Sequence, residues 1–404
     1  MFGLAQEIKA RGHRVIFFQF PDLKASVEKA GFECCTFAEQ AFPLGTIPAI
    51  DAALGNLSGS AALRFSIDRI RRSSTAYFNY LPSCLHDAGL DVFVVDQIDV
   101  SGPTIAEHIR VPFVSICNAL PLNRDYRVPP CYTGWQHKST AVHHIRNEIG
   151  YRFLSILGSP VRRLINKQRA EWALGPLPDT STQFAGLAEI AQLPKCLDYP
   201  QRRFHPRFHY AGPLSVSRKT KDVDLPCNQV VAGSYVYASM GTLQNRRDDI
   251  YGGIIEGCYR AGWRVVLSVN NPTTNIDALL SLPGDPIVVR YAPQRQLLKQ
   301  AAAVITHGGL NTALEALSEG LPMVAVPMTN DQPGVAERLR WKGVAEVLSR
   351  SRVTGETICT ALTRIMRHSS YREEARRCME ELKQINGAKC VVDIIETSLK
   401  SGIR

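Results

Sequence analysis

The residues best suited to chemistry lie in one stretch of about forty residues, 291–332. There a predicted strand at 304–306 ends in His307-Gly308-Gly309, and a predicted helix begins near Leu310. The first N–H groups of a helix have no partner within the helix, and they carry the positive end of its dipole. Glycines at this junction allow an anion to approach the backbone closely. The stretch therefore predicts an anion site suited to a diphosphate.

Further polar side chains in the same stretch could hold groups attached to that anion. His307, Asn311 and Thr312 can add hydrogen bonds to it. Glu315 follows Asn311 by one turn on the same helix face, where its carboxylate could accept from ribose hydroxyls. Asp331-Gln332 follows the neighbouring strand at the same carboxyl edge, where ligands of open α/β sheets bind, and could accept from sugar hydroxyls. Each residue alone is more often structural, and it is their order that indicates a site.

The elements around this stretch alternate between strand and helix, which is typical of doubly wound parallel sheets. The first half contains a helix at 1–11, strands at 15–20, 91–96 and 112–116, and a helix at 102–109. The second half contains strands at 234–239, 264–269, 287–290, 304–306 and 323–326, and helices at 248–262, 294–302, 310–320 and 333–342. The predicted fold class is α/β, with two tandem Rossmann-like domains facing each other across a cleft.

Proline and charge content set the predicted domain borders. We expect a first domain at 1–212, a linker at 213–228 and a second domain at 229–404, whose last helix could return to the first domain. Between about 120 and 195 prolines interrupt short amphipathic pieces, which favours loops and short helices that wall a pocket.

Composition excludes several classes of protein. With 404 residues, 45% of them apolar, the chain is neither disordered nor collagen-like. Its apolar runs are too short to cross a bilayer and no signal peptide is evident, so we expect a cytosolic protein. The eleven cysteines lack metal-ligand spacing, and we interpret them as reduced core residues.

The formal net charge of +10 is densest at 146–169 and 202–221. Neither segment has the interleaved aromatic residues of a nucleic-acid platform. We interpret them as solvated basic faces, with peripheral contact to an anionic membrane as the alternative.

Taken together, the residues of 291–332 resemble the donor-binding signature of the UDP-sugar-dependent glycosyltransferases with the GT-B fold, and the resemblance extends over nearly the whole chain. Within that family the sequence is similar to carotenoid (zeaxanthin) glucosyltransferases. The segments behind this finer resemblance are 95–108, 118–123 and 329–336.

The resemblance implies a role for each matching position. It implies that Tyr291, with Gln294 nearby, stacks on uracil, and that Glu315 binds the ribose. It implies that the diphosphate is held by His307, Gly308, Gly309, Asn311 and Thr312, and that glucose is held by Asp331 with Gln332. A turn on the phosphate side of the donor would be formed by Ser239, Gly241 and Thr242. Asp96 would orient and charge-stabilise a catalytic histidine.

That histidine is not among these 404 residues. The resemblance places it in a loop after a first strand, immediately before a helix like the one at 1–11, whereas His13 lies at the far end of that helix. A helix leading into the strand at 15–20 is itself the second half of a βαβ unit. We therefore expect family-like coding sequence ahead of Met1 that supplies the strand and the histidine.

The implied reaction is an inverting, metal-independent transfer of a hexose, with glucose as the expected sugar, from UDP to an apolar hydroxylated acceptor such as a xanthophyll. No cofactor is expected, and Asp222-Val-Asp224 is interpreted as solvent-exposed and not as a manganese site. A flavonoid, sterol or macrolide acceptor remains open, as do a non-catalytic UDP-sugar-binding protein and a sugar-nucleotide epimerase. A nicotinamide dehydrogenase is disfavoured, because no G-x-G-x-x-G follows a predicted strand.

Overall fold

The computed structural model describes residues 1–55, 57, 59–177, 185–214, 231–241, 248–269, 271 and 273–401. Most of the predicted linker, the Asp222-Val-Asp224 string and Thr242 lie outside the described residues, and the domain borders stay a prediction.

The first half of the chain builds two parallel sheets, one of two strands and one of four, with strand orders β1-β2 and β3-β4-β5-β6. Its elements are α1 Phe2–Ala10, β1 Ile16–Gln19, α2 Pro21–Lys29, β2 Glu33–Thr36, α3 Thr46–Gly55, α4 Gly59–Asp87, β3 Phe93–Asp96, α5 Gly102–Ile109, β4 Phe113–Cys117, α6 Ala141–Leu157, α7 Ser159–Glu171, β5 Ala188–Ala191 and β6 Phe208–Tyr210.

The second half forms one six-stranded parallel sheet with the order β12-β11-β10-β7-β8-β9. Its elements are β7 Tyr235–Ser239, α8 Asp248–Arg260, β8 Arg264–Ser268, α9 Ile276–Leu280, β9 Ile287–Val289, α10 Gln294–Leu298, β10 Ala303–Thr306, α11 Leu310–Ser318, β11 Met323–Ala325, α12 Gln332–Trp341, β12 Ala345–Val347, α13 Gly355–Arg367, α14 Ser369–Lys383 and α15 Gly387–Lys400.

Both faces of the six-stranded sheet are buried, as expected for parallel strands covered by helices. Successive side chains of β7 point to opposite faces, so Tyr235 and Tyr237 enter one apolar cluster while Val236 and Ala238 enter the other. The first cluster also contains Leu120 and other side chains of the first half, so this core is continuous across the two halves.

The helix α13 shows how local sequence fixes an element here. Thr354 caps its first turn in a reciprocal pair of hydrogen bonds with Thr357. Ile358, Leu362 and Ile365 follow at helical spacing and are buried against the sheet.

A buried ion pair also joins the halves. Asp198 follows a short 3₁₀ helix in the first half, and it lies 2.9 Å from Arg338 of α12, with both side chains only 1% exposed. Burial alone would raise the pKa of Asp198, but Arg338 and Arg202 together hold that pKa below its ordinary value. The last helix α15 returns to the first half, where Asp393 lies 2.7 Å from Arg11 at the end of α1.

The two sheets of the first half leave a gap between β1 and β3. Within the described strands β1 pairs only with β2, and β3 pairs only with β4. A cavity of about 410 Å³ lies between their facing edges, lined by Leu4, Phe17, Val94 and other apolar side chains. None of the four residues of β1 is fully buried, whereas all four of β5 are. The gap lies beside β1 and under α1.

The region from 120 to 195 departs from the expected loops and short helices. It contains α6 with 17 residues, α7 with 13, and the buried strand β5. The prolines mislead here because Pro160 occupies the first turn of α7, where a missing N–H breaks no helical hydrogen bond. Strand β6 was also not expected, since three residues are too few to show a period.

In the described residues, no helix combines the length and the apolar character needed to cross a bilayer. The ten cysteines among them are all free thiols.

Candidate active site

The loop between β10 and α11 has the backbone geometry expected of an anion site. Gly309 occupies the N-cap of α11, and Gly308 adopts the left-handed φ of +77°. A Cβ on Gly308 would also lie 3.3 Å from the carbonyl oxygen of Gln332. Only glycine satisfies both constraints without strain, so the first N–H groups of α11 stay accessible to a ligand.

His307 is held in a narrow slot between two glycines. A Cβ on Gly309 would lie 2.4 Å from Nε2 of His307, and one on Gly241 would lie 2.8 Å from the same atom. Burial lowers the pKa of His307, with a backbone hydrogen bond to Ser239 opposing the shift. The ring is therefore neutral at pH 7. Its Nδ1 is buried and has no hydrogen-bond partner among the described residues, so it can serve a ligand.

The first two turns of α11 carry a polar network that the structure already satisfies. Glu315 accepts from Gln294 at 2.7 Å and forms an ion pair with Arg295 at 3.0 Å. Gln294 also accepts from the hydroxyl of Tyr237 at 3.2 Å, and it lies 3.5 Å from the hydroxyl of Thr312. These contacts hold the carboxylate of Glu315 in place. Each of its oxygens has a second lone pair, which can accept a hydrogen bond from a hydroxyl group.

Tyr291 follows β9 and is 64% exposed. A large aromatic ring left this open at the carboxyl end of a strand offers a face on which a planar ligand can stack.

Asp331 and Gln332 are in place at the start of α12, but their acceptors are in use. Asp331 accepts the backbone N–H of Leu120, from the first half, at 3.0 Å, and burial raises its pKa. The side-chain oxygen of Gln332 accepts from the backbone of Met328 at 2.9 Å and of Thr329 at 3.0 Å. Gln332 therefore shapes its own loop, and Asp331 links the second half to the first.

Asp96 ends β3 in the first half, and its carboxylate is pinned at both oxygens. One accepts the backbone N–H of Ile98 at 3.0 Å, and the other accepts the side-chain amide of Asn118 at 2.6 Å. Asp96 also lines the cavity between β1 and β3.

A hydrogen-bonded line joins Asp96 to the second half. The amide of Gln192 donates to the backbone carbonyl of Asn118 and, at 3.0 Å, to the side-chain oxygen of Asn311. Asn118, Gln192 and Asn311 follow β4, β5 and β10, so carboxyl edges of both sheets meet at this point. The line runs from the start of α11 to Asp96.

Sequence reasoning missed Gln192 and the buried carboxylate of Glu189 beneath it. Glu189 is fully buried in β5, and it accepts from Gln97 at 2.6 Å, from Asn123 at 3.0 Å and from His205 at 2.7 Å. A charged residue inside the apolar run Ala188–Ala191 was the signal available in the sequence, because a buried charge needs such partners.

The partly buried carboxyl group of Asp99 lies beside Asp96. Burial raises the pKa of Asp99 to about 6, although Ser101 donates to it from its hydroxyl at 2.6 Å and from its backbone. Asp99 lines the same cavity as Asp96.

No cluster of histidine, cysteine and carboxylate side chains within the described ranges has the makeup of a metal site. The start of α11 offers backbone N–H groups to an anion, Tyr291 offers an exposed aromatic face, and the first half contributes the carboxylate of Asp96.

Comparisons with known proteins agree with this geometry. A family model described as UDP-glucoronosyl and UDP-glucosyl transferase matches residues 79–384, about three quarters of the chain. A zeaxanthin glucosyltransferase of Pantoea ananas is 28% identical over 99% of this chain and 93% of its own length. One of Pseudescherichia vulneris is 27% identical over 99% of this chain and 94% of its own. The solved structure of the glycotransferase of kitacinnamycin superposes with a TM-score of 0.74 at 21% identity, covering 98% of this chain and 95% of that one.

Proposed function

The chain belongs to the UDP-glucoronosyl and UDP-glucosyl transferase family and is a glycosyltransferase that uses a UDP-sugar, and from this premise we propose that it glucosylates a hydroxyl of an apolar acceptor of the xanthophyll type, such as zeaxanthin. The observation that carries the proposal is the hydrogen-bonded line from Asn311 through Gln192 and Asn118 to Asp96. It joins the anion site proposed in one half to a carboxylate in the other, which supports transfer between a donor held by one half and an acceptor held by the other.

The proposed donor site lies at the carboxyl edge of the six-stranded sheet, after β9 and β10. The diphosphate lies at the start of α11, against the N–H groups behind Gly309, with Asn311 and Thr312 beside it. The uracil stacks on Tyr291, and Glu315 accepts from the ribose. Because His307 is neutral, it supports the diphosphate as a hydrogen-bonding group and not as a charge.

The proposed transfer is a single displacement with inversion. The acceptor oxygen forms a bond to the anomeric carbon while the bond from that carbon to the β-phosphate oxygen breaks, and UDP leaves with the bonding electrons. The acceptor proton passes to a base. The resemblance assigns that base to a histidine ahead of α1, so the role proposed for Asp96 is to orient the base and stabilise its positive charge. The start of α11 stabilises the charge that grows on UDP, with no metal ion needed.

Glucose and a carotenoid acceptor are proposed because two relatives over nearly the full length carry the name zeaxanthin glucosyltransferase.

The experiment incubates the full-length protein with UDP-glucose and zeaxanthin in detergent, and quantifies UDP and glucosylated product by chromatography and mass spectrometry. β-Carotene, which has no hydroxyl group, is the matched control, and a flavonoid, a sterol and a macrolide are tested in parallel. The proposal predicts product from zeaxanthin and none from β-carotene. Transfer only to another acceptor would overturn the carotenoid assignment, and UDP-glucose binding without any transfer would favour a binding protein.

A further inference from the structure

The helix α6 presents an unusual stripe of apolar side chains to solvent. Five side chains on it are between 59% and 73% exposed, namely Val142, Ile145, Ile149, Phe153 and Ile156. At about 100° per residue they fall within an arc of roughly 80°. Scattered apolar residues are normal on a surface, but a continuous stripe of large ones marks a surface that has a partner.

The opposite face of α6 is fixed to the body of the protein. Asn147 is buried, and its side-chain amide donates to the carbonyl of Tyr126 at 3.0 Å. A Cβ on Gly150 would lie 2.8 Å from the ring of Trp135, so the helix packs closely there. The helix cannot rotate to bury its stripe without breaking these contacts.

Basic side chains outnumber acidic ones on α6 and α7. The segment 141–171, which covers both helices, carries six arginines and lysines against two glutamates, although Arg169 is buried. Arg152 lies at the edge of the stripe with 73% of its side chain exposed and pairs with Glu148, and Lys167 of α7 is 77% exposed and lies 3.9 Å from Glu171. Arg163 of α7 is also exposed. An apolar stripe flanked by cations has the makeup of a helix that lies in a bilayer interface.

We propose that α6 docks this surface onto an anionic lipid bilayer, with the stripe among the acyl chains and the flanking cations against lipid headgroups. A second copy is a poorer occupant, because a two-fold contact through the same surface would bring like charges together. The inference rests on α6 and does not depend on the identity of the acceptor. The protein would then reach a lipid-soluble acceptor in the bilayer in which that acceptor is dissolved.

The test is co-sedimentation with vesicles of phosphatidylcholine alone and of phosphatidylcholine with phosphatidylglycerol. The wild-type protein is compared with the double variant I149S/F153S and with the charge variant R163E/K167E. L280S, on α9 of the second half, is the matched control because Leu280 is 46% exposed. Circular dichroism and UDP affinity, measured on every variant, confirm that each is folded.

The proposal predicts that the wild-type protein binds the anionic vesicles. Both I149S/F153S and R163E/K167E should reduce this binding at least about tenfold, and L280S should leave it unchanged. Binding should weaken as salt rises. It is overturned if anionic vesicles do not bind the protein, or if the stripe variants bind as well as wild type. A dimer that I149S/F153S converts to a monomer would overturn it in favour of a second copy.

Discussion

The side-chain amide of Asn118 donates to Asp96 at 2.6 Å, while the backbone carbonyl of the same asparagine accepts from Gln192, which in turn donates to Asn311. Asn118 thus positions the carboxylate proposed to orient the base, and it does so from a loop that contacts the donor half. Its neighbour Leu120 donates to Asp331 from the same loop.

Removing the amide of Asn118 should impair transfer and not donor binding. In N118A the carboxylate of Asp96 loses its 2.6 Å partner, and small errors in the placement of catalytic groups cost about 100-fold in rate. Steady-state kinetics should show kcat reduced by about that factor, with the Kd for UDP-glucose within about twofold of wild type. An unchanged kcat would mean that transfer does not depend on the hydrogen bond from Asn118 to Asp96.

Substitution of Gly309 should weaken donor binding by displacing His307. In G309A the new methyl group would lie 2.4 Å from Nε2 of His307, so the ring or the loop must move. Titration calorimetry should show at least a tenfold rise in the Kd for UDP-glucose. G175A is the matched control, since no atom lies within 4 Å of a Cβ at Gly175. Equal affinities for the two variants would remove His307 from the proposed site.

The ion pair between Asp198 and Arg338 should be worth far more than a surface pair. In D198A the guanidinium of Arg338 stays buried without its partner, a situation that typically costs about 3–5 kcal/mol. The comparison is E33A, whose partner Arg14 is 65% exposed and whose loss should destabilise the protein far less, because water screens an exposed pair. Urea unfolding measures both, and similar losses would contradict the assigned burial.

The partly buried carboxyl group of Asp99 should make stability depend on pH. Its pKa is about 6 in the folded protein against 3.8 for an unperturbed aspartate, so between these values the folded state holds more protons than the unfolded state. The stabilisation of the folded state by protonated Asp99 is therefore fully present below about pH 4 and is lost as the pH rises to about 6. D99N cannot ionise, so its stability should not fall for this reason over that range.

The difference in melting temperature between D99N and wild type should accordingly shift in favour of the variant from pH 4 to pH 6, and then remain constant. A difference that stays constant across the whole range would show that Asp99 ionises normally.

Much of the second half follows from sequence because its strands are short buried runs and its helices have one apolar face. The helix beginning at Leu310 and the strand ending at Thr306 lie where the pattern predicts them. Their order along the chain also places the glycines and polar residues at one sheet edge, so the geometry of the anion site could be anticipated.

The rest depends on contacts that a linear pattern does not contain. Gln192 reaches Asn311 across 119 positions of sequence, and Glu189 finds His205, Gln97 and Asn123 only once β5 lies in the sheet. The helix α6 was missed because prolines around it suggested loops, although its apolar residues repeat at helical spacing. The engagement of Asp331 with Leu120 likewise requires the two halves to be together.

In the proposed mechanism the start of α11 holds the donor while Asp96, in the other half, serves the transfer step. The most direct test compares D96N with wild type in the full-length protein, expressed with whatever residues its gene encodes ahead of Met1. UDP-glucose affinity and glucosyl transfer to zeaxanthin are both measured. Affinity should stay within about twofold of wild type, and transfer should fall by at least about 100-fold. Undiminished transfer by D96N, or loss of donor affinity in step with transfer, would contradict this division of roles.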